Sequence, residues 1–168
     1  NLDGLNLNEN DKISSMGTCF AEEVSTYLKF SKENFNYISL ENNIFNFSSN
    51  WGRVYTVKNL RQIIEYSLGH LPIITEKYNH TFFDPLREYT VGSFDSKNSL
   101  MLNIKKHRSI SKRILCETNL LIVTLGQNEF WYDNVNKIAW GRTPPLKFRE
   151  NVKRFIPFEY SFKENLDD

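Results

Sequence analysis

Two short stretches of this 168-residue chain carry residue types suited to attack on a carbonyl carbon. In the first, Ser14 to Val24, Cys19 follows Gly17 and Thr18 where a strand-like stretch, Lys12 to Met16, gives way to an amphipathic helix. A cysteine in the first turn of a helix sits beside unpaired backbone amides. Their positive potential favours the thiolate, which is the nucleophilic form. Glu22 and Glu23 work against this with nearby negative charge. The alternative for Cys19 is a small buried residue packing where helix meets sheet. The second stretch is Gly126-Gln127-Asn128-Glu129, directly after an unbroken apolar run. Asn128 can aim an amide donor at a developing oxyanion, a contribution of about 3 kcal/mol where such donors have been removed; its alternative is to cap a turn. If the strands before these two loops are parallel in one sheet, both loops face its carboxyl edge, where open α/β sheets form their sites.

Other candidates lie between and after these loops. Asp84 and Arg87, three apart, can pair across a turn or bind a polar substrate. Trp131 and Trp140 can stack on a sugar ring or pack as a cross-strand aromatic pair. Cys19 and Cys116 form no CxxC pair, and His70, His80 and His107 lack metal-ligand spacing, so neither a disulfide framework, a metal site nor a bound cofactor is expected.

A net charge of +1 argues against nucleic acid as a partner, because phosphate binding usually shows a basic excess. The densest basic run, Lys105-Lys106-His107-Arg108 with Lys112-Arg113, reads as the solvated face of a helix. No stretch approaches the roughly 18 apolar residues of a membrane span, and no signal-peptide pattern is visible, which favours a cytoplasmic location.

The elements that must position the candidates follow from periodicity. A helix is expected from about Cys19 to Phe30, with Phe20, Val24, Tyr27 and Leu28 on one face. Phe35 to Leu40 alternates like a strand, and Glu41 to Asn50 reads as loop. Val57, Leu60, Ile63, Ile64 and Leu68 mark a second helix that Gly69 stops. Ile73 to Ser96 suits short strands or hairpins, and Asn98 to Glu117 returns to helical spacing. Leu120 to Leu125 suits a strand buried on both faces, as in a parallel sheet. Phe130–Asp133 and Lys137–Trp140 look like a hairpin. Ser161-Phe162-Lys163-Glu164 is a capping-box pattern, which opens a helix. With only four residues after it, the sequence is expected to stop inside an element of a longer protein. The expected fold is α/β, a three-layer α/β/α sandwich around a mostly parallel sheet, incomplete at the C-terminus, with residues 1–10 a tail and 11–168 the domain.

Met16-Gly17-Thr18-Cys19-Phe20-Ala21 resembles the defining motif of the GSCFA family, with Thr18 in place of its serine. That family looks like a branch of the SGNH (GDSL-type) hydrolases, whose sheet is flavodoxin-like. Similar stretches follow in order: Trp51-Gly52-Arg53-Val54-Tyr55, Phe83-Asp84-Pro85-Leu86-Arg87, and Thr124-Leu125-Gly126 with Glu129 and Trp131. The resemblance spans Lys12 to Leu166. It implies Cys19 as nucleophile, with Thr18 in that role in an alternative register. It also implies Gly52 as a backbone oxyanion donor, and Asn128 as the asparagine of a Gly-x-Asn-Asp block in which Glu129 replaces aspartate. The superfamily's Asp-x-x-His block, which supplies the general base, has no counterpart: Ser67, Lys77 and Ile104 stand three before the histidines. The block is expected in a segment beyond this sequence.

Two functions are thus implied. One is a hydrolase or acyltransferase acting on an ester or thioester, with a small-molecule or glycan ester as substrate. The other is a non-catalytic α/β module that binds a glycan or a protein.

Overall fold

In the computed structural model, which describes residues 8–32, 35–41, 45–87 and 91–168, Ile-Ser-Ser-Met-Gly forms strand β1 (Ile13–Gly17), and all five residues are buried. Burying two serines is tolerable only if their hydroxyls find partners. Ser15 Oγ meets Ser25 Oγ at 2.5 Å and the Tyr37 hydroxyl at 2.7 Å, and Ser14 Oγ accepts from Thr118 Oγ1 at 2.8 Å. On one side β1 pairs in parallel with β5 (Leu120–Thr124), in the register Ile13↔Leu120 to Gly17↔Thr124. Its other side is held by irregular chain. Ile38 N donates to Ile13 O (2.9 Å), Ser15 N to Ser48 Oγ (3.1 Å) and Val54 N to Gly17 O (2.8 Å). The strand expected at Phe35–Leu40 reduces to one parallel bridge between Ile13 and Tyr37. The apolar β5, expected to be buried on both faces, is half-buried along its whole length, and among the described residues it is an edge strand that pairs only with β1.

Helix α1 (Cys19–Phe30) has the expected bounds but a shifted face. Ala21, Ser25 and Leu28 are buried, whereas Phe20 and Tyr27 are 68% and 55% exposed. The buried serine is the one that satisfies Ser15, so the polar strand dictates which side of the helix turns inward. Helix α2 (Val57–Leu68) opens on Thr56, whose side chain accepts from the Asn59 amide, and stops at Gly69 in the left-handed region (φ +89°).

Strands β2 (Glu76–Tyr78), β3 (Thr81–Phe83) and β4 (Ser93–Phe94) form a small antiparallel sheet. Helix α3 (Lys97–Glu117) then packs against α2. The expected hairpin is β6 (Glu129–Asp133) with β7 (Ile138–Ala139), and after a short helix, α4 (Leu146–Arg149), strand β8 (Phe155–Glu159) joins the other edge of β6. Helix α5 (Phe162–Asp167) starts with the expected capping box at Ser161 and Glu164.

The fold is therefore mixed α/β, with one small parallel sheet, two antiparallel three-stranded sheets and five helices among the described residues. A mostly parallel sheet was the expectation. The connections account for the split: a parallel partner needs a crossover of a dozen or more residues, which α3 supplies before β5, whereas the short turns from β2 to β3 and from β6 to β7 permit only antiparallel return. None of the described helices is long and apolar enough to cross a membrane.

The basic run on α3 is also corrected. Lys105 and Lys106 are exposed, but His107 is 2% exposed and lies on the buried stripe Leu100, Ile104, His107, Ser111, Ile114. Its Nδ1 meets Glu41 Oε2 at 2.8 Å, and that carboxylate also accepts from Ser49 Oγ at 2.5 Å and the Asn50 amide at 2.8 Å. This cluster fastens the segment after residue 40 onto α3. Burial pushes the His107 pKa down, the Glu41 contact opposing it, so neutral His107 donates its Nδ1 proton. Burial would raise Glu41, but the bonds from His107, Ser49 and the Asn50 amide outweigh it and hold it at about 2.

The pH dependence follows. Below the ordinary histidine value of 6.5 the unfolded chain takes up a proton that folded His107 resists, so stability falls as pH drops through that value. Glu41, lowered from 4.5 to about 2, contributes stability that is present above 4.5 and is lost as pH falls toward 2. Thermal midpoints measured from pH 8 downward should decline in these two windows. His107→Gln should flatten the upper one and Glu41→Gln the lower one; unchanged slopes would remove both assignments.

Candidate functional site

The edge of the parallel sheet is built around one close approach. Gly17 has φ +138°, a region that side chains rarely adopt, and a Cβ there would collide with the Thr124 carbonyl oxygen and lie 2.8 Å from its nitrogen. Without that Cβ the two strands end face to face. Thr18 N donates to Thr124 O (3.2 Å), and the Thr18 and Thr124 hydroxyls meet at 2.8 Å. Thr18 Oγ1 also accepts from Phe20 N (3.3 Å), which makes Thr18 the N-cap of α1. Its hydroxyl is committed to the frame on both sides.

Cys19 is therefore the first residue of α1, and it is a free, exposed thiol. Exposure removes the packing alternative raised by the sequence. The segment bearing Gly52 is drawn to the same edge through Val54 N and Gly17 O. The loop after β5 is tied to that segment in turn, because Gly126 N and Gln127 N both donate to Tyr55 O (3.0 and 3.1 Å). Gly52 itself is buried, with φ +76°. Thus the loops of Cys19, Gly52 and Asn128 meet at the carboxyl edge of β1 and β5.

One contact here escaped the sequence reading. Glu22, in the first turn of α1, takes two hydrogen bonds from Arg53, at 2.9 Å from Nη2 and 3.2 Å from Nε. The Arg53 guanidinium also lies 4.5 Å from the Phe45 ring centroid. The pair offsets the carboxylate charge expected to work against a thiolate, and it joins the Gly52 segment to the helix that carries Cys19. A glutamate and an arginine 31 residues apart give no local signal of pairing.

Asn128 is turned differently from an oxyanion donor. Its Nδ2 donates to Glu159 Oε1 at 2.9 Å and to the Tyr160 carbonyl at 3.2 Å, which uses both hydrogens to fasten the loop to β8. Asp84 and Arg87 pair at 3.0 Å with 1% and 2% exposure, and they also engage Tyr66 (3.3 Å) and Asn103 (2.7 Å). Their charges are spent on each other in the core, away from solvent. Trp140 is 2% exposed, and its ring packs edge-on against Phe83, Phe148 and Phe155. Trp131, unlike Trp140, is only partly buried, and the Arg149 guanidinium lies 5.6 Å from its ring centroid. Among the described residues no cluster of histidine, cysteine or carboxylate side chains could hold a metal ion.

A family model, that of the GSCFA family, matches residues 12–167. No curated protein and no solved structure matches the chain.

The close approach of β1 and β5 can be tested directly. Gly17→Ala combines left-handed strain with a collision against backbone, so it should cost about 3 kcal/mol or more in urea unfolding. Thr18→Ala, which removes the cap and the hydroxyl pair, should cost about 1–2 kcal/mol, and Thr18→Ser close to nothing.

Proposed function

We propose, on the premise that this chain belongs to the GSCFA family, that it has SGNH-type hydrolase or acyltransferase chemistry with Cys19 as nucleophile. The observation that carries the reading is the exposed Cys19 thiol at the first turn of α1, on the sheet edge where the Gly52 and Asn128 loops meet. Thr18 is the lesser candidate, because its hydroxyl is held between Thr124 and the Phe20 amide. In this reading the Cys19 sulfur attacks the acyl carbon of an ester or thioester and its proton passes to a base. The carbonyl oxygen becomes an oxyanion facing the amides of Cys19 and Gly52. Collapse expels the alcohol or thiol and leaves an acylated cysteine. Water, or an acceptor hydroxyl, then takes the acyl group and regenerates the thiol. Asn128 joins as a third donor once it releases Glu159. The three-layer α/β/α arrangement of the superfamily belongs to the same reading, with β1 and β5 as members of its sheet.

A second reading, a binding module for a glycan or protein, draws support from the engagement of both Asn128 donors.

Acyl transfer to the two exposed thiols separates these readings, since Cys116 on α3 is an internal control. Incubation with an activated thioester followed by peptide mass spectrometry should find Cys19 acylated at least about tenfold faster than Cys116. Thr18→Ser should leave that ratio intact. Equal rates at the two cysteines would favour the binding module, and acyl transfer to Thr18 in Cys19→Ala would favour the other register.

A further inference from the structure

Beside the Cys19 edge lies a cleft of about 1020 Å³, walled by Tyr55 and the start of α2 on one side and by residues 141–143 on the other. The loop after β5 forms its rim. Gly126 lines it, and a Cβ on Gly126 would lie 3.8 Å from Thr18 Cγ2, so one residue separates the cleft from the candidate site. Its floor is the face of β6 and β8 on which Glu129 stands opposite Glu159 and Trp131 opposite Pro157. Further along that face the next pair, Asp133 and Phe155, is buried, so the floor runs from the core outward to the two carboxylates.

Two like charges directly across an antiparallel pair repel each other. Among the described residues the only side-chain hydrogen bond to either carboxylate is from Asn128 to Glu159, and the Glu129 carboxylate takes none. Acceptors placed this way stabilise something that brings donors. Beside them Trp131 offers a partly exposed aromatic surface, and Gln127 and Thr143 add an amide and a hydroxyl. A fatty acyl chain would need an apolar wall, and a polyanion would meet two carboxylates against the single guanidinium of Arg142. A pyranose fits both demands: its C–H face lies on a ring, and its hydroxyls donate to carboxylates.

We propose that this cleft binds a neutral oligosaccharide, with Trp131 as the platform and Glu129 and Glu159 as acceptors for its hydroxyls. The proposal rests on the hydrolase reading only in making that sugar the carrier of the acyl group; binding itself does not need the thiol.

The test follows the tryptophan indole resonances of the ¹⁵N-labelled chain during titration with cellotetraose, mannotetraose, chitotetraose and tetragalacturonate. At least one neutral tetrasaccharide should shift the Trp131 signal with millimolar or tighter affinity, and tetragalacturonate should bind more weakly. Measured by titration calorimetry, Trp131→Ala and Glu159→Gln should each weaken binding about tenfold or more, while Cys19→Ala should leave it unchanged. The proposal is overturned if no neutral tetrasaccharide moves the signal at about 10 mM, if binding survives both Trp131→Ala and Glu159→Gln, or if the uronate binds more tightly. Sugar binding without Cys19 acylation would sink the hydrolase reading alone, and Cys19 acylation without sugar binding would sink this one alone.

Discussion

The missing side chain of Gly17 lets β1 and β5 end in contact, and the local geometry is arranged around that contact. At this position the backbone has φ +138°, and the Thr124 peptide occupies the space that a Cβ would need. With the strands brought together, the next residue, Thr18, has Thr124 within hydrogen-bond reach by backbone and by hydroxyl, and the chain enters α1 from a fixed point. Cys19 inherits its location from that geometry. The parallel register does the rest, since it turns the carboxyl ends of both strands, and hence both loops, to one edge.

Around this junction the chain solves a problem of buried polarity. A strand reading Ile-Ser-Ser-Met-Gly can serve as a buried element only because α1 and the segments after it supply hydroxyl partners. That requirement sets the inward face of α1 and leaves Phe20 and Tyr27 outside. A second buried polar cluster, Glu41 with Ser49 and His107, anchors the following segment to α3. Arg53 then ties the Gly52 stretch to Glu22. These polar contacts act at successive points, at Glu41, Ser49 and Arg53, and tie the chain around them to α3 and α1.

The candidate site and the cleft are joined through a single loop. Residues 126–128 hang from Tyr55 O on one side and from β8 through Asn128 on the other. Asn128 thus links the two: its bond to Glu159 reaches onto the floor of the cleft, while its loop borders Thr18. A ligand hydroxyl that donated to Glu159 would compete with the Asn128 amide for that carboxylate.

Local signals in the sequence determined the elements whose causes are local. The bounds of α1 and α2, the Gly69 stop, the β6–β7 hairpin and the Ser161 capping box follow from caps, turns and periodicity within a few residues, and the structure has them there. The Gly-x-Cys stretch and its family were legible for the same reason, because the motif is contiguous. Tertiary structure decided what depends on distant partners. It chose which of two strands is buried, against their apolar content, because serine hydroxyls become compatible with burial once Ser25, Tyr37 and Thr118 arrive from elsewhere in the chain. It drew His107 out of a basic run into the core, turned the Asn128 amide toward β8, and set Glu129 against Glu159. Periodicity records which residues share a face of one element, but the energy of a buried or charged group depends on what another element brings to it. Only the folded chain fixes that.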